Sequence, residues 1–363
     1  MIGDVSSALA ETITTAATAG ASAAPFQIIG GNSKHFLGRT PTGRPLPVAE
    51  HRGIVSYEPK ELVITARCGT PLAEIETTLA ERGQMLPFEP PHFGPSATLG
   101  GTIATGLSGP RRPYAGSARD FVLGVRLING RGEVLRFGGE VMKNVAGYDI
   151  SRLVTGAMGT LGLLLETSLK VVPLPDEEIT LVREHGPEEA IALMNTWAAR
   201  PLPLSGACFQ GGRLYLRLSG AASAVHAARE RLGGESVADG ARFWSDLREQ
   251  RHAFFAGNHT PLWRLSVPPA TPPMSWLAGK WLLEWGGGQR WLRTGLPAGD
   301  LPADEIRRAA RAAGGHATLF RGGDRKAEVF HPPDPILAGL HRRLKEAFDP
   351  RGLFNPGRLY SDL

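Results

Sequence analysis

Two short stretches of glycine and hydroxyl residues carry the chemistry within reach of this chain. The first is Ile28-Ile29-Gly30-Gly31-Asn32-Ser33-Lys34. The second runs from Pro95 to Gly109 and sets Thr98, Gly100, Gly101, Thr102, Thr105, Ser108 and Gly109 among Leu99, Ile103 and Leu107. Glycine admits positive φ and leaves the main chain bare, so backbone N–H groups can close on an anion. Such a surface suits a pyrophosphate, with Lys34 as a candidate counter-charge. In the second stretch the apolar residues imply burial. Buried donors need partners, and a bound dinucleotide would supply them. Taken alone, the first stretch also fits a plain Gly-Gly turn followed by a solvated lysine.

A third segment, Lys143-Asn-Val-Ala-Gly147-Tyr-Asp149, leads into Arg152 and the Gly156/Gly159/Gly162 series. Asp149 there is also a candidate helix cap. The chain has no GxGxxG, P-loop, HExxH or GxSxG, which removes the usual support for nicotinamide dehydrogenases, NTPases, zinc proteases and serine hydrolases. Paired glycine loops without a Rossmann fingerprint point to a flavin dinucleotide.

Composition narrows the field further. The net charge of +5, from 40 basic against 35 acidic residues, is spread along the chain rather than gathered in a stripe, so no nucleic-acid partner is expected. The two cysteines, Cys68 and Cys208, lie far apart in strand-like runs, which reads as buried free thiols and no metal site. The N-terminus carries Asp4 and Glu11 before its first basic residue, Lys34, unlike a signal peptide. The longest uncharged apolar stretch, Leu153–Leu165, is too short to span a bilayer. A cytoplasmic protein is expected, with any membrane contact peripheral, on the inner face and through partners.

The elements that must position these loops follow from periodicity and punctuation. Helices are expected over 5–20, after Thr70 as N-cap with Pro71 at the first helical position and Gly83 at the stop, over 188–199 and 222–232, and over 335–348. Strands are expected at 26–29, where the first loop begins, and at 53–57 and 62–68. Residues 121–128 and 133–137 read as a hairpin around Asn129-Gly130, a pair favouring a tight turn with positive φ. A long strand over 161–172 closes at Pro173 and Pro175, the best domain boundary in the chain. Beyond it, strand-helix-strand-strand-helix opens a ferredoxin-like α+β unit, and 283–291 reads as a second hairpin around Gly286-Gly287-Gly288. All seven tryptophans fall in this region, and the five from its middle (Trp244, Trp263, Trp276, Trp281 and Trp285) suggest a buried core and an interface.

Together these segments carry a resemblance. The first 173 residues resemble the FAD-binding domain of the vanillyl-alcohol oxidase / p-cresol methylhydroxylase family. Gly147-Tyr-Asp149 with Gly159-Thr-Leu-Gly162, and Phe348-Asp-Pro-Arg-Gly-Leu-Phe-Asn-Pro-Gly357, are similar to its D-lactate and glycolate dehydrogenase branch. Leu262–Pro268, Glu284–Trp291 and Gly315–Arg321 look like the smaller FAD-binding subunits of that branch's bacterial glycolate-oxidising complexes. The resemblance implies an α+β fold: a p-cresol methylhydroxylase-type FAD-binding domain over 1–174, a ferredoxin-like cap over 175–330, and a C-terminal segment over 331–363 returning to the flavin. By position it implies non-covalent FAD with Gly30, Gly31, Asn32, Ser33, Lys34, Thr98, Leu99, Gly100, Gly101 and Thr102 around the pyrophosphate. Thr105, Ser108, Gly109, Asp120, Gly147 and Gly162 would line the rest, and Asn355 would approach the isoalloxazine. Histidines His35 and His92 are weaker candidates for contact with the flavin.

The chain also departs from that branch. Catalytic members have a His-x-Gly-Asp-Gly-Asn-x-His segment where this chain has His316-Ala-Thr-Leu-Phe-Arg-Gly-Gly323, and Met158 stands where the branch usually has Glu. Oxidising a small 2-hydroxy acid needs a base for the hydroxyl proton and a cation for the carboxylate. His316 is the candidate base, with Arg264 or Arg321 as the clamp. The alternative is a packed strand histidine and two structural arginines. The expected partners are a larger paralogous FAD subunit with the histidine segment intact and an iron–sulfur subunit, since two cysteines cannot hold a cluster. The other readings are a self-sufficient 2-hydroxy-acid or alcohol oxidoreductase using His316, or a scaffold without flavin.

Overall fold

The computed structural model describes residues 3–20, 23–139, 149–257, 260–295 and 301–363. It divides into two units. The first comprises Met1–Ser108, Ser117–Pro173 and Arg325–Leu363; the second comprises Gly109–Gly116 and Leu174–Asp324. Gly109–Gly116, expected in the first domain, therefore clusters with the second.

In the first unit, helix α1 (Ser6–Ala19) precedes the parallel pair β1 (Phe26–Ile29) and β2 (Arg44–Pro47). Strands β3 (Ile54–Glu58), β4 (Val63–Arg67), β6 (Val122–Ile128), β7 (Val134–Gly138) and β8 (Leu163–Lys170) form an antiparallel sheet ordered β3-β4-β8-β6-β7. A small pair joins β5 (Gln84–Met85) to β9 (Val172–Pro173). Helices α2 (Leu72–Ala80) and α3 (Leu99–Thr105) share one core with the sheet, through Leu72, Ile75, Leu79, Leu99 and Ile103 against Ile64, Leu127 and Leu169. Another cluster seats Leu9 and Ile13 of α1 on Phe26, Ile128 and Phe354.

The C-terminal run belongs to this unit. After helix α10 (Pro335–Phe348), Asp349 accepts from the N–H groups of Leu353 (2.9 Å) and Phe354 (2.8 Å) and pairs with Lys345 at 2.7 Å. That arrangement turns the chain so that Phe354 bridges Phe26 in parallel, beside β1.

Three expectations shift locally. The stretch Pro95–Gly109 is not all loop. Thr98 caps α3, its Oγ1 accepting from Gly101 N–H at 3.3 Å. Pro71, not Thr70, occupies the N-cap of α2, because the Thr70 hydroxyl accepts from Gly53 N–H (2.8 Å) and donates to Gly53 O (3.3 Å). The β6–β7 turn is longer than two residues. Asn129 Oδ1 accepts from Arg131 N and Glu133 N, and the positive φ falls at Gly132.

The second unit is built on one eight-stranded antiparallel sheet. Its strands are β10 (Glu177–Glu184), β11 (Leu204–Gln210), β12 (Arg213–Gly220), β13 (Glu235–Ser236), β14 (Leu262–Ser266), β15 (Lys280–Glu284), β16 (Gln289–Arg293) and β17 (His316–Arg321). Their order, β13-β10-β12-β11-β15-β16-β14-β17, is two halves of ferredoxin-like strand order meeting at β11–β15, the second half reversed and without a helix between β14 and β15. Helices α6 (Pro187–Ala198) and α7 (Ala222–Leu232) pack Ile191, Met194, Val225 and Ala228 on Leu181, Leu216 and Phe209. Helices α8 (Gly240–Arg248), α9 (Ala303–Ala312) and the short α4 (Arg112–Ala115) complete the unit. Tyr114 of α4 packs against the core built on α6 and α7.

Candidate functional site

The chain leaves the buried start of β1 at Ile29 and turns at once into Gly30 and Gly31. A Cβ on Gly31 would lie 1.4 Å from the Ser96 carbonyl oxygen, so only glycine lets the two loops touch. Asn32 follows with φ of 58°, a left-handed conformation that Asn tolerates better than most residues. This winding turns main-chain donors outward. Among the described residues, the N–H groups of Gly31, Asn32 and Ser33 meet no protein acceptor. Lys34 is buried, with Nζ 3.3 Å from His92 O.

The second stretch reaches the same place from the other side. Gly100 donates to Cys68 O at 2.7 Å, and a Cβ there would meet Cys68 at 2.9 Å, so α3 starts tight against β4's end. Together the loops wall an open cleft. Gly30, Gly31, Asn32, Ser33, Lys34, Thr98, Gly100, Gly101, Thr105, Gly162 and Asn355 of the expected set all line it.

The remaining candidates lie elsewhere. Leu99 and Thr102 are buried in α3 behind the cleft, and the Thr102 hydroxyl has no partner among the described residues. Ser108 Oγ accepts from Ala118 N–H at 2.9 Å, and Asp120 accepts from Ser117 N–H and Oγ, so both brace the connection after α3. Those bonds hold the Asp120 carboxyl below its usual range against the opposing effect of burial. Gly109 falls in the second unit. Gly147 and the rest of Lys143–Tyr148 lie outside the described residues. Asp149 caps the short helix α5 (Ile150–Val154), accepting from Arg152 N–H at 3.0 Å.

Several lining residues carried no sequence signal. Val48, Ala104, Leu163 and Leu164 join Ile28 and Ile29 in giving the cleft an apolar wall. Arg358 reaches it from the C-terminal run, donating to Arg39 O (2.9 Å) and His35 O (3.0 Å). Burial, then the neighbouring Arg325, hold its guanidinium down to about 10. His35 is kept below its ordinary value by burial and then by Arg358, while burial pushes the Cys68 thiol up to about 12. Asn355 accepts from Ile28 N–H at 2.8 Å and donates to Met158 O at 2.7 Å, tying three segments of the rim.

Lys34 and Arg358 are cations of this lining, and among the described residues no carboxylate is part of it. Free N–H groups, cations and an apolar wall in one cleft fit a dinucleotide with a bridging pyrophosphate. His92, by contrast, does not line it and pairs with Glu76 at 2.9 Å.

The catalytic candidates sit in the second unit. Antiparallel pairing sets Arg264 of β14 opposite Thr318 and Ser266 opposite His316 of β17, so Arg264 and His316 share a sheet face. Arg321 donates through Nε to Gln250 Oε1 at 2.7 Å.

Residues 7–138 match a family model described as an FAD binding domain. The chain is 53% identical over 339 residues to "Glycolate oxidase subunit GlcE" of Escherichia coli (strain K12), covering 93% of each. It is 33% identical over 129 residues to "Glycolate oxidase subunit GlcD" of Bacillus subtilis (strain 168), covering 36% of this chain and 27% of that protein. A solved alkyldihydroxyacetonephosphate synthase superposes with a TM-score of 0.67 at 14% identity, over 98% of this chain and 76% of that one. That likeness concerns the fold.

Proposed function

The chain belongs to the family of the glycolate oxidase subunit GlcE, and from that membership we propose that it is the FAD-binding subunit of a complex oxidising glycolate to glyoxylate. FAD is its cofactor, held without a covalent bond. The observation that carries this reading is the cleft, with the outward N–H groups of Gly31, Asn32 and Ser33 beside Lys34 and Arg358. In this reading Gly30–Lys34 and the Thr98–Thr102 stretch hold the pyrophosphate. The wall of Ile28, Val48, Ala104 and Leu164 excludes water from the apolar parts of the cofactor. When bound, FAD supplies two-electron oxidation and can pass electrons on singly.

Alcohol oxidation itself is assigned to a larger, GlcD-like FAD subunit carrying the intact histidine segment. An iron–sulfur subunit takes the electrons onward, because this chain's two cysteines, both buried, cannot hold a cluster. Membrane contact, on the inner face, is made through those partners. Among the described residues no helix is long and apolar enough to cross a membrane. The present subunit relays electrons or shapes the complex.

The test is a visible absorption spectrum of the purified chain, before and after anaerobic addition of glycolate, alone and with its partner subunits. A flavin spectrum that glycolate bleaches only in the complex is expected. A colourless chain would refute flavin binding by this subunit. Bleaching in the isolated chain, abolished by His316→Ala, would make it an oxidase in its own right.

A further inference from the structure

The loop ahead of the second glycine stretch holds its backbone where side chains resist it. Glu89 has φ of 45° and Phe93 φ of 54°, left-handed conformations uncommon for residues other than glycine. Such backbone persists only where the surroundings over-determine it, and it gathers at binding and catalytic sites. Between the two lie Pro90, Pro91 and His92.

Contacts on two sides impose that shape. On one, His92 O accepts from Lys34 Nζ at 3.3 Å, and the Phe93 ring meets the Phe36 ring edge-on at 5.3 Å. A Cβ on Gly94 would meet Ser33 at 3.7 Å. On the other, His92 Nε2 pairs with Glu76 of α2 at 2.9 Å. That helix is a firm base, since Leu72, Ile75 and Leu79 are fully buried. Carboxylate, imidazole and ammonium thus follow one another, and of the three residues only Lys34 lines the cleft. A lysine carries a compact charge on a flexible four-carbon stem, so its direction must be set by what holds it.

We propose that Glu76 and His92 are positioning residues for Lys34, setting the affinity for the cofactor from outside the cleft. Their ion pair pins the loop to α2, the pinned His92 carbonyl fixes the ammonium, and the ammonium meets the diphosphate. The identity of that ligand as FAD rests on the preceding reading. Plain electrostatics gives the opposite expectation for Glu76. Removing a carboxylate near an anionic ligand lowers repulsion and tightens binding, so the sign of the effect separates the two.

The experiment takes the full chain stripped of flavin and measures Kd for FAD by flavin fluorescence, with melting read on the same samples. Losing a charge-assisted bond in Lys34→Met should weaken FAD binding roughly tenfold to a hundredfold. Glu76→Ala should weaken it roughly tenfold, and Glu76→Gln, which keeps an acceptor for His92, should fall between it and the parent. The double variant should bind no more weakly than Lys34→Met alone, because the pair acts through that ammonium. Glu74→Gln, exposed on the same helix, should bind as the parent does. Unchanged or tighter binding in Glu76→Ala, whatever its melting temperature, or additive losses in the double variant would overturn the proposal. If Lys34→Met does not fold, the comparison of Glu76→Ala with Glu76→Gln and Glu74→Gln still decides, and equal losses in all three would overturn it. A parent chain that takes up no FAD would defeat the flavin reading and this one with it. A parent that binds FAD with an affinity indifferent to Glu76 would defeat this one alone.

Discussion

Asn355 shows how one side chain can build a wall. Its amide is spent on two main-chain groups, Ile28 N–H and Met158 O, while the residue itself lines the cleft. Replacing it by leucine leaves both buried partners without a bond, at a cost of about 2–4 kcal/mol. Asn355→Leu is therefore expected to melt earlier than the parent and to lose flavin on gel filtration. Asn355→Asp, which keeps the acceptor for Ile28 N–H, should fall between. Equal melting and equal flavin content in all three proteins would show that the amide bridge does not shape the cleft.

Helix α1 is fastened at its start by Asp4. The carboxylate accepts from Ser6 Oγ (2.7 Å) and Ser6 N–H (3.0 Å) and faces Arg67 at 3.3 Å. The Ser6 bonds, then Arg67 and His51, outweigh desolvation and hold its pKa at about 2 rather than 3.8. A lowered acid contributes stability that is complete above its unfolded value and is lost as pH falls through the folded one. Asp4→Asn should thus lower the unfolding free energy near neutral pH, measured by urea titration, by about 1 kcal/mol for a partly exposed group. That gap should narrow between pH 3.8 and about 2. A gap that stays constant through that window would count against the assignment. Elements of this kind were legible in the sequence where pattern and punctuation agree: α7 and α10 keep their expected bounds because Gly233 stops one and Asp334-Pro335 starts the other. Helix α3 was not legible, since Gly100 and Gly101 argue against a helix and only the tight approach of Gly100 to Cys68 requires a glycine there. The same limit hid Arg358 and the apolar wall, whose roles depend on contacts across hundreds of residues.

At the scale of the molecule, the two units carry separate reporters. The cleft belongs to the first unit, whereas all seven tryptophans, from Trp197 to Trp291, lie in the second. Gly31→Ala forces a methyl group onto the Ser96 carbonyl, so it should strip flavin from the protein while leaving the tryptophan emission maximum in place. Free FAD should stabilise the parent's folded state by about 2.7 kcal/mol at a hundredfold excess over Kd, and the variant far less. Full flavin content in Gly31→Ala, or a shifted emission maximum, would refute this separation. The bond between Ile28 and Asn355 spans 327 positions of chain. Ribosomes add roughly 5–20 residues per second, so Asn355 is made tens of seconds after the strand it leans on. A growing chain thus carries both glycine loops long before it carries the rim that closes over them, and cofactor capture becomes one of the last events of biosynthesis.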